Sequence, residues 1–123
     1  MQVKRRRLER PAPPGQLVEV LGTPLHVVRA GATPPRVLLL HGYLSHTGAW
    51  SHVMPLLAER GGVAAVDLPG HGYSDMSERI PASPGEMARL LPGMLDHLGV
   101  ERVVLAGHSL GGAVALFAAA LAP

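Results

Sequence analysis

With 123 residues, 47% of them apolar and no cysteine, the chain has enough material for one modest domain with its own core, and disulfides, thiolate catalysis and cysteine-ligated metals are excluded. The net charge of +2 is set by the first ten residues, where Lys4, Arg5, Arg6, Arg7 and Arg10 stand with a single acid, Glu9. Without them six basic and eight acidic residues remain, so the body is slightly acidic and carries no charge signature of a nucleic-acid or anionic-membrane binding face.

Residues 1–15 read as a basic, proline-rich, disordered leader. Arg5-Arg6-Arg7 resembles a twin-arginine start, but Pro11-Ala12-Pro13-Pro14-Gly15 occupies the place where a secretion signal needs an apolar stretch. No run approaches the roughly 18 apolar residues that cross a bilayer, and the expected location is cytoplasmic. The expected domain then occupies residues 16–123. Leu17-Val18-Glu19-Val20 and Leu25-His26-Val27-Val28 read as two short strands around a Gly22-Thr23-Pro24 turn. After Thr33-Pro34-Pro35, the unbroken apolar run in Arg36-Val37-Leu38-Leu39-Leu40 predicts a central strand buried on both faces. Trp50, Val53, Met54, Leu57 and Ala58 recur at helical spacing over 50–60, with Pro55 as a kink and Gly61-Gly62 as the stop. Val63-Ala64-Ala65-Val66 is the next buried strand.

Ser83-Pro84-Gly85-Glu86 is a capping box with proline at the first helical position. The helix it opens presents Met87, Leu90, Leu91, Met94, Leu95 and Leu98, bends at Pro92-Gly93, and ends at Gly99. Arg102 to Ala106 is the last strand, and Leu110 to Leu121 the last helix, apolar all round and therefore expected to be buried. Two antiparallel strands followed by strand, helix, strand, helix, strand, helix predict an α/β fold with a mostly parallel sheet of about five strands. Functional loops in such a sheet lie at the carboxyl ends of the strands.

Three loops meet that description: His41-Gly42-Tyr43, Asp67-Leu68-Pro69-Gly70-His71-Gly72-Tyr73-Ser74-Asp75, and Gly107-His108-Ser109-Leu110-Gly111. The last is Gly-x-Ser-x-Gly between a strand and a helix, where the flanking glycines remove Cβ atoms that would collide and let Ser109 take a strained conformation with its hydroxyl exposed. Neither glycine-rich loop ends in the Gly-Lys-Ser/Thr of a phosphate-binding loop. His26, His46, His52 and His97 lack the spacing of a metal site and read as surface or helix-end residues; no metal is expected.

Together with Trp50, these loops closely resemble the α/β-hydrolase fold family, over about residues 17 to 123. The resemblance implies the N-terminal part of that fold, with the sheet incomplete. It implies a serine hydrolase acting on an ester, lactone, thioester or related carbonyl substrate through an acyl-enzyme, with no cofactor. Ser109 corresponds to the nucleophile, and the backbone N–H groups of Leu110 and Tyr43 correspond to the oxyanion hole. His41, Gly42, Gly107, His108 and Gly111 support that arrangement. In the family the histidine equivalent to His41 holds the oxyanion loop; one strand from Ser109, it is also a candidate substitute base. Tyr43 and Trp50 are candidates for an acyl pocket, with core packing the favoured role of Trp50. Serine disfavours the epoxide hydrolase and haloalkane dehalogenase branches, which use aspartate.

The family places its triad acid and histidine after later strands; only fourteen residues follow Ser109, and the serine strand is expected at an open sheet edge. Two functions follow. One is a serine hydrolase represented by an N-terminal fragment with an incomplete triad. The other is a non-catalytic interaction protein that pairs, with itself or a partner chain, through that edge.

Overall fold

The computed structural model of the protein describes residues 12–74 and 83–121. Most of the expected leader, Asp75 of the expected loop, and residues 122–123 lie outside these bounds.

The strands are β1 (Gln16–Val20), β2 (Thr23–Ala30), β3 (Pro35–Leu40), β4 (Gly62–Val66) and β5 (Val104–Gly107). They form one mixed sheet in the order β1-β2-β4-β3-β5. β1 and β2 make the antiparallel hairpin, β2 also runs antiparallel to β4, and β3 lies parallel to both β4 and β5. The expected incomplete α/β sheet is therefore present, with β5 at its edge.

Alternation along the strands sorts the apolar side chains onto two faces. Leu38 and Leu40 of β3, with Ala64 and Val66 of β4, face one core with Leu25, Val27, Met94, Leu98 and Val114. Leu39, Val63 and Ala65 face a smaller core with Met54, Leu57 and Trp50. Every residue of β4 is buried, as expected for a parallel strand covered on both sides.

The helices are shorter than their hydrophobic periods predict, because proline sets where they begin. The helix expected over 50–60 is a 3-10 helix, Thr47–Trp50, followed by α1 (Met54–Ala58), with Pro55 in the first turn of α1 rather than at a kink. The helix opened by Ser83 is likewise two helices, α2 (Pro84–Ala88) and α3 (Leu91–Leu98), with Pro92 in the first turn of α3. Proline lacks an N–H and crowds the preceding turn, but both costs vanish in a first turn, so the chain restarts there. Ser83 caps α2 by accepting the Glu86 N–H at 3.2 Å, and Gly99 closes α3 at φ 73°, a conformation open to glycine at little cost.

The last helix, α4 (Leu110–Leu121), departs from the expectation of all-round burial. Gly111, Val114 and Ala118 are buried, whereas Leu116 is 75%, Phe117 50% and Leu121 61% exposed. The physical reason is the sheet edge. α4 packs back over β3 and β5, and beyond β5 no described strand supports a second cover. A groove of about 940 Å³ opens there, lined by Leu91 and Leu95 of α3, Val103 and Leu105, and Ala115 and Leu116 of α4.

Candidate active site

β3 and β5 run parallel with Leu40 level with Gly107, so the loops that leave their carboxyl ends start side by side. The His108 N–H donates to the Leu40 carbonyl at 3.0 Å. One residue on, Ser109 takes φ +54° and is exposed. A left-handed backbone costs a non-glycine residue roughly 1–2 kcal/mol, and here the surroundings leave no alternative. A Cβ on Gly107 would stand 2.3 Å from the Gly111 carbonyl oxygen, and one on Gly111 would stand 2.1 Å from the Leu40 carbonyl oxygen. Strand and helix are thus pressed together on both sides of Ser109, which turns its side chain outward at the carboxyl edge of the sheet. Leu110 begins α4, where first-turn N–H groups lack intrahelical partners and the helix dipole favours negative charge.

The His41 loop is held from behind. The Leu68 N–H donates to His41 Nε2 at 2.9 Å, which leaves the ring proton on Nδ1, and Nδ1–H donates to the Gly42 carbonyl at 2.7 Å. That carbonyl also accepts the Ser45 N–H at 3.1 Å. In a trans peptide the C=O and N–H point in opposite directions, so the Tyr43 N–H is directed away from the His41 ring. Burial lowers the pKa of His41 below its ordinary 6.5 despite the opposing bond to Gly42, and nearby His71 adds a smaller push in the same direction as burial. His41 is therefore a neutral, fully engaged imidazole. Its expected second use as a substitute base is corrected by this geometry, because the only lone pair of the ring already accepts Leu68 N–H.

Gly42 lies under the His108 side chain, whose Nδ1 would be 2.8 Å from a Cβ at position 42. The Tyr43 side chain is 71% exposed, with its ring edge-on to His71 at 5.9 Å. Trp50 is half-buried against Leu39 and Met54 of the smaller core; its buried indole N–H has no hydrogen-bond partner among the described residues.

The loop after β4 is organised by Asp67. Its Oδ1 accepts the Thr47 N–H at 2.7 Å, and its Oδ2 accepts the Tyr73 N–H at 2.9 Å and His26 Nδ1–H at 2.8 Å. Burial alone raises a carboxyl pKa, but these donors outweigh it and hold Asp67 below its ordinary 3.8. Ser74 Oγ donates to the Asp67 carbonyl and accepts the His26 N–H. A Cβ at Gly72 would fall within 2.2 Å of Oδ2, so the carboxylate fills the space that glycine leaves.

His26 corrects a second expectation. It is wholly buried rather than at the surface, because it belongs to the face of β2 that looks onto Asp67 at the end of β4. The pairing across antiparallel strands was invisible in the spacing of two residues forty-one positions apart. The available signal was a polar residue inside an apolar strand. His46 and His52 are exposed; His46 Nδ1 caps the 3-10 helix by accepting the Gly48 N–H. His97 is exposed in the last turn of α3. Among the described residues no group of three or more His, Asp or Glu could hold a metal ion, and no helix is long and apolar enough to cross a membrane.

A mixed sheet with a strained, exposed serine between β5 and α4, framed by loops after β3 and β4, defines a hydrolase-like α/β class. Comparison with known proteins gives the family: residues 35–123 match the alpha/beta hydrolase fold, and the chain belongs to it. It is 38% identical over 87 residues to the uncharacterized hydrolase YugF of Bacillus subtilis, covering 71% of this chain and 32% of that protein. It is 41% identical over 108 residues to epoxide hydrolase A of Mycobacterium tuberculosis, covering 84% and 33%. Among solved structures, a bacterial membrane phospholipase A superposes with a TM-score of 0.80 at 32% identity, over 85% of this chain and 34% of that one. The chain spans about a third of the length of these relatives.

Proposed function

We propose that this chain carries the nucleophile and oxyanion half of a serine hydrolase acting on an ester, lactone, thioester or related carbonyl substrate. The observation that carries the reading is the backbone of Ser109, φ +54° on a non-glycine residue at an exposed strand-to-helix turn. Strain of this kind persists only where the surroundings enforce it, and it clusters at functional sites. Ser109 Oγ attacks the carbonyl carbon, the Leu110 and Tyr43 N–H groups receive the developing oxyanion, and collapse expels the leaving group to give an acyl-enzyme that water hydrolyses. The serine favours this chemistry over the epoxide opening that the name of one relative implies.

Attack needs a base for the Oγ proton. The His26–Asp67 pair does not offer one, since His26 is buried and its Nε2 accepts the Gly15 N–H at 3.0 Å, and His41 is engaged at both nitrogens. In this reading the general base and its acid partner come from polypeptide outside the described residues. The native protein is expected to label with a fluorophosphonate probe and to lose all labelling in Ser109→Ala. A folded native protein that resists the probe at saturating concentration overturns the reading.

The free edge of β5 and the exposed apolar side of α4 favour a second reading, in which the chain binds a strand-bearing partner or its own copy and is not catalytic. That reading expects a stable complex in solution and no probe labelling.

A further inference from the structure

We propose that His26 is an acid-sensitive latch that fastens the segment before β1 to the carboxyl edge of the sheet. The inference goes beyond the hydrolase reading and does not depend on it. Each ring nitrogen of His26 has one partner, and the two partners demand one protonation state. Asp67 Oδ2, 2.8 Å from Nδ1, requires a donor there, whereas the Gly15 N–H, 3.0 Å from Nε2, requires an acceptor. Only the neutral Nδ1–H tautomer satisfies both.

A proton taken from solvent by the Nε2 lone pair sets an N–H against the Gly15 N–H, and that hydrogen bond is lost. The bond to Asp67 becomes a charge pair and is strengthened. Mild acid therefore releases one side of His26 while tightening the other. The consequence is local because Gly15 is fitted closely to β2, where a Cβ would lie 2.1 Å from the Val27 carbonyl oxygen. Gln16 pairs with Val27, and Val27 with Val66, so the released point is level with the end of β4 where the Asp67 loop begins.

Among the described residues the titratable groups facing His26 are Asp67 and Tyr73, both from the loop after β4; the Tyr73 ring centre is 5.1 Å away. From the same loop Ser74 contributes a hydroxyl to the His26 N–H. The segment before β1 brings the uncharged Gly15, β1 brings Leu17, and the neighbours of His26 on β2 are Leu25 and Val27. Asp67, held below its ordinary pKa, stays ionised through the mildly acidic range, so the change belongs to the imidazole.

The test follows His26 ring nitrogens by NMR and amide exchange of the whole chain from about pH 7.5 to about pH 4.5, the range in which histidine charge changes. Protection of the Gly15 amide, corrected for intrinsic exchange, is expected to fall about tenfold as Nε2 gains its proton, while the Thr47 and Tyr73 amides on Asp67 stay protected. In His26→Gln, which does not titrate, Gly15 exchange is expected to show no pH step. The latch is overturned if Gly15 stays protected after Nε2 is protonated, or if Nε2 takes no proton before global unfolding. Loss of the Thr47 and Tyr73 amides in the same step, or a step that survives in His26→Gln, overturns it equally.

Discussion

Adding one methyl group at each of two adjacent glycines should change stability in opposite directions. Gly111 and Gly112 both lie in the first turns of α4, and helix propensity alone favours alanine at either by up to about 1 kcal/mol. At Gly112 the nearest atom to an added Cβ is the Gly107 carbonyl oxygen at 3.5 Å, an ordinary contact, so propensity decides. Gly112→Ala is expected to raise Tm by roughly 3–6 °C for a chain of this size. At Gly111 the added Cβ would meet Leu40 O at 2.1 Å, Leu40 C at 2.5 Å and His41 O at 2.6 Å. Ordinary contact begins at 3.4 Å, so α4 and β3 must part by about 1.3 Å, and both are backbone with no rotamer to yield. Overpacking of flexible side chains already costs about 1–3 kcal/mol; a backbone clash belongs at or above the top of that range, several times the propensity gain. Gly111→Ala is therefore expected to lower stability by about 3 kcal/mol or more, read by thermal and urea unfolding of both variants in parallel. Equal shifts in the two variants, or a Gly111→Ala protein as stable as the parent, would refute the claim that close strand–helix contact fixes the serine turn.

Four further expectations can be checked on the same protein. Ser109→Gly relieves the positive φ and should be more stable than Ser109→Ala by about 1 kcal/mol, while both remove the hydroxyl; matched urea midpoints would argue that the turn stores no strain. Asp67→Asn replaces one of the two accepting oxygens with an NH2 donor, which leaves either the Thr47 N–H or the Tyr73 and His26 N–H groups without an acceptor, and should cost about 2–4 kcal/mol in urea unfolding. The parent should lose stability in two stages as pH falls. His41 has a folded pKa below 6.5, so the unfolded chain binds its proton first and stability declines from about pH 6.5 down through the folded value. Asp67, folded below 3.8, contributes stability that is intact above that value and is lost as pH falls through its folded pKa; a urea midpoint that stays flat or rises through these windows contradicts the assignments. Finally, Leu116→Lys changes a position on α4 that is 75% exposed and should leave the urea midpoint nearly unchanged while reducing self-association by sedimentation; unchanged association would place any interface elsewhere.

Much of the fold was legible because its signals are local. The apolar runs of β3 and β4 marked strands buried on both faces, and the Ser83 capping box marked the start of α2. Gly107 and Gly111 around Ser109 marked a strand pressed against a helix. Helix lengths were less legible: hydrophobic period measures only which face is apolar, and Pro55 and Pro92 proved to start helices rather than to bend them.

What the sequence determined by itself was the order of the elements, the three loops at the carboxyl ends of strands, and the position of Ser109 among glycines, since each depends on neighbours within one or two turns of chain. Tertiary structure alone decided the partners of His26 and the fate of α4. A histidine in a strand is exposed or buried according to what the adjacent strand brings to it, here Asp67 across an antiparallel pair. An apolar helix is covered only where a neighbour reaches it, and beyond β5 no described element does. Both depend on contacts between residues far apart in the chain, and no local spacing records them.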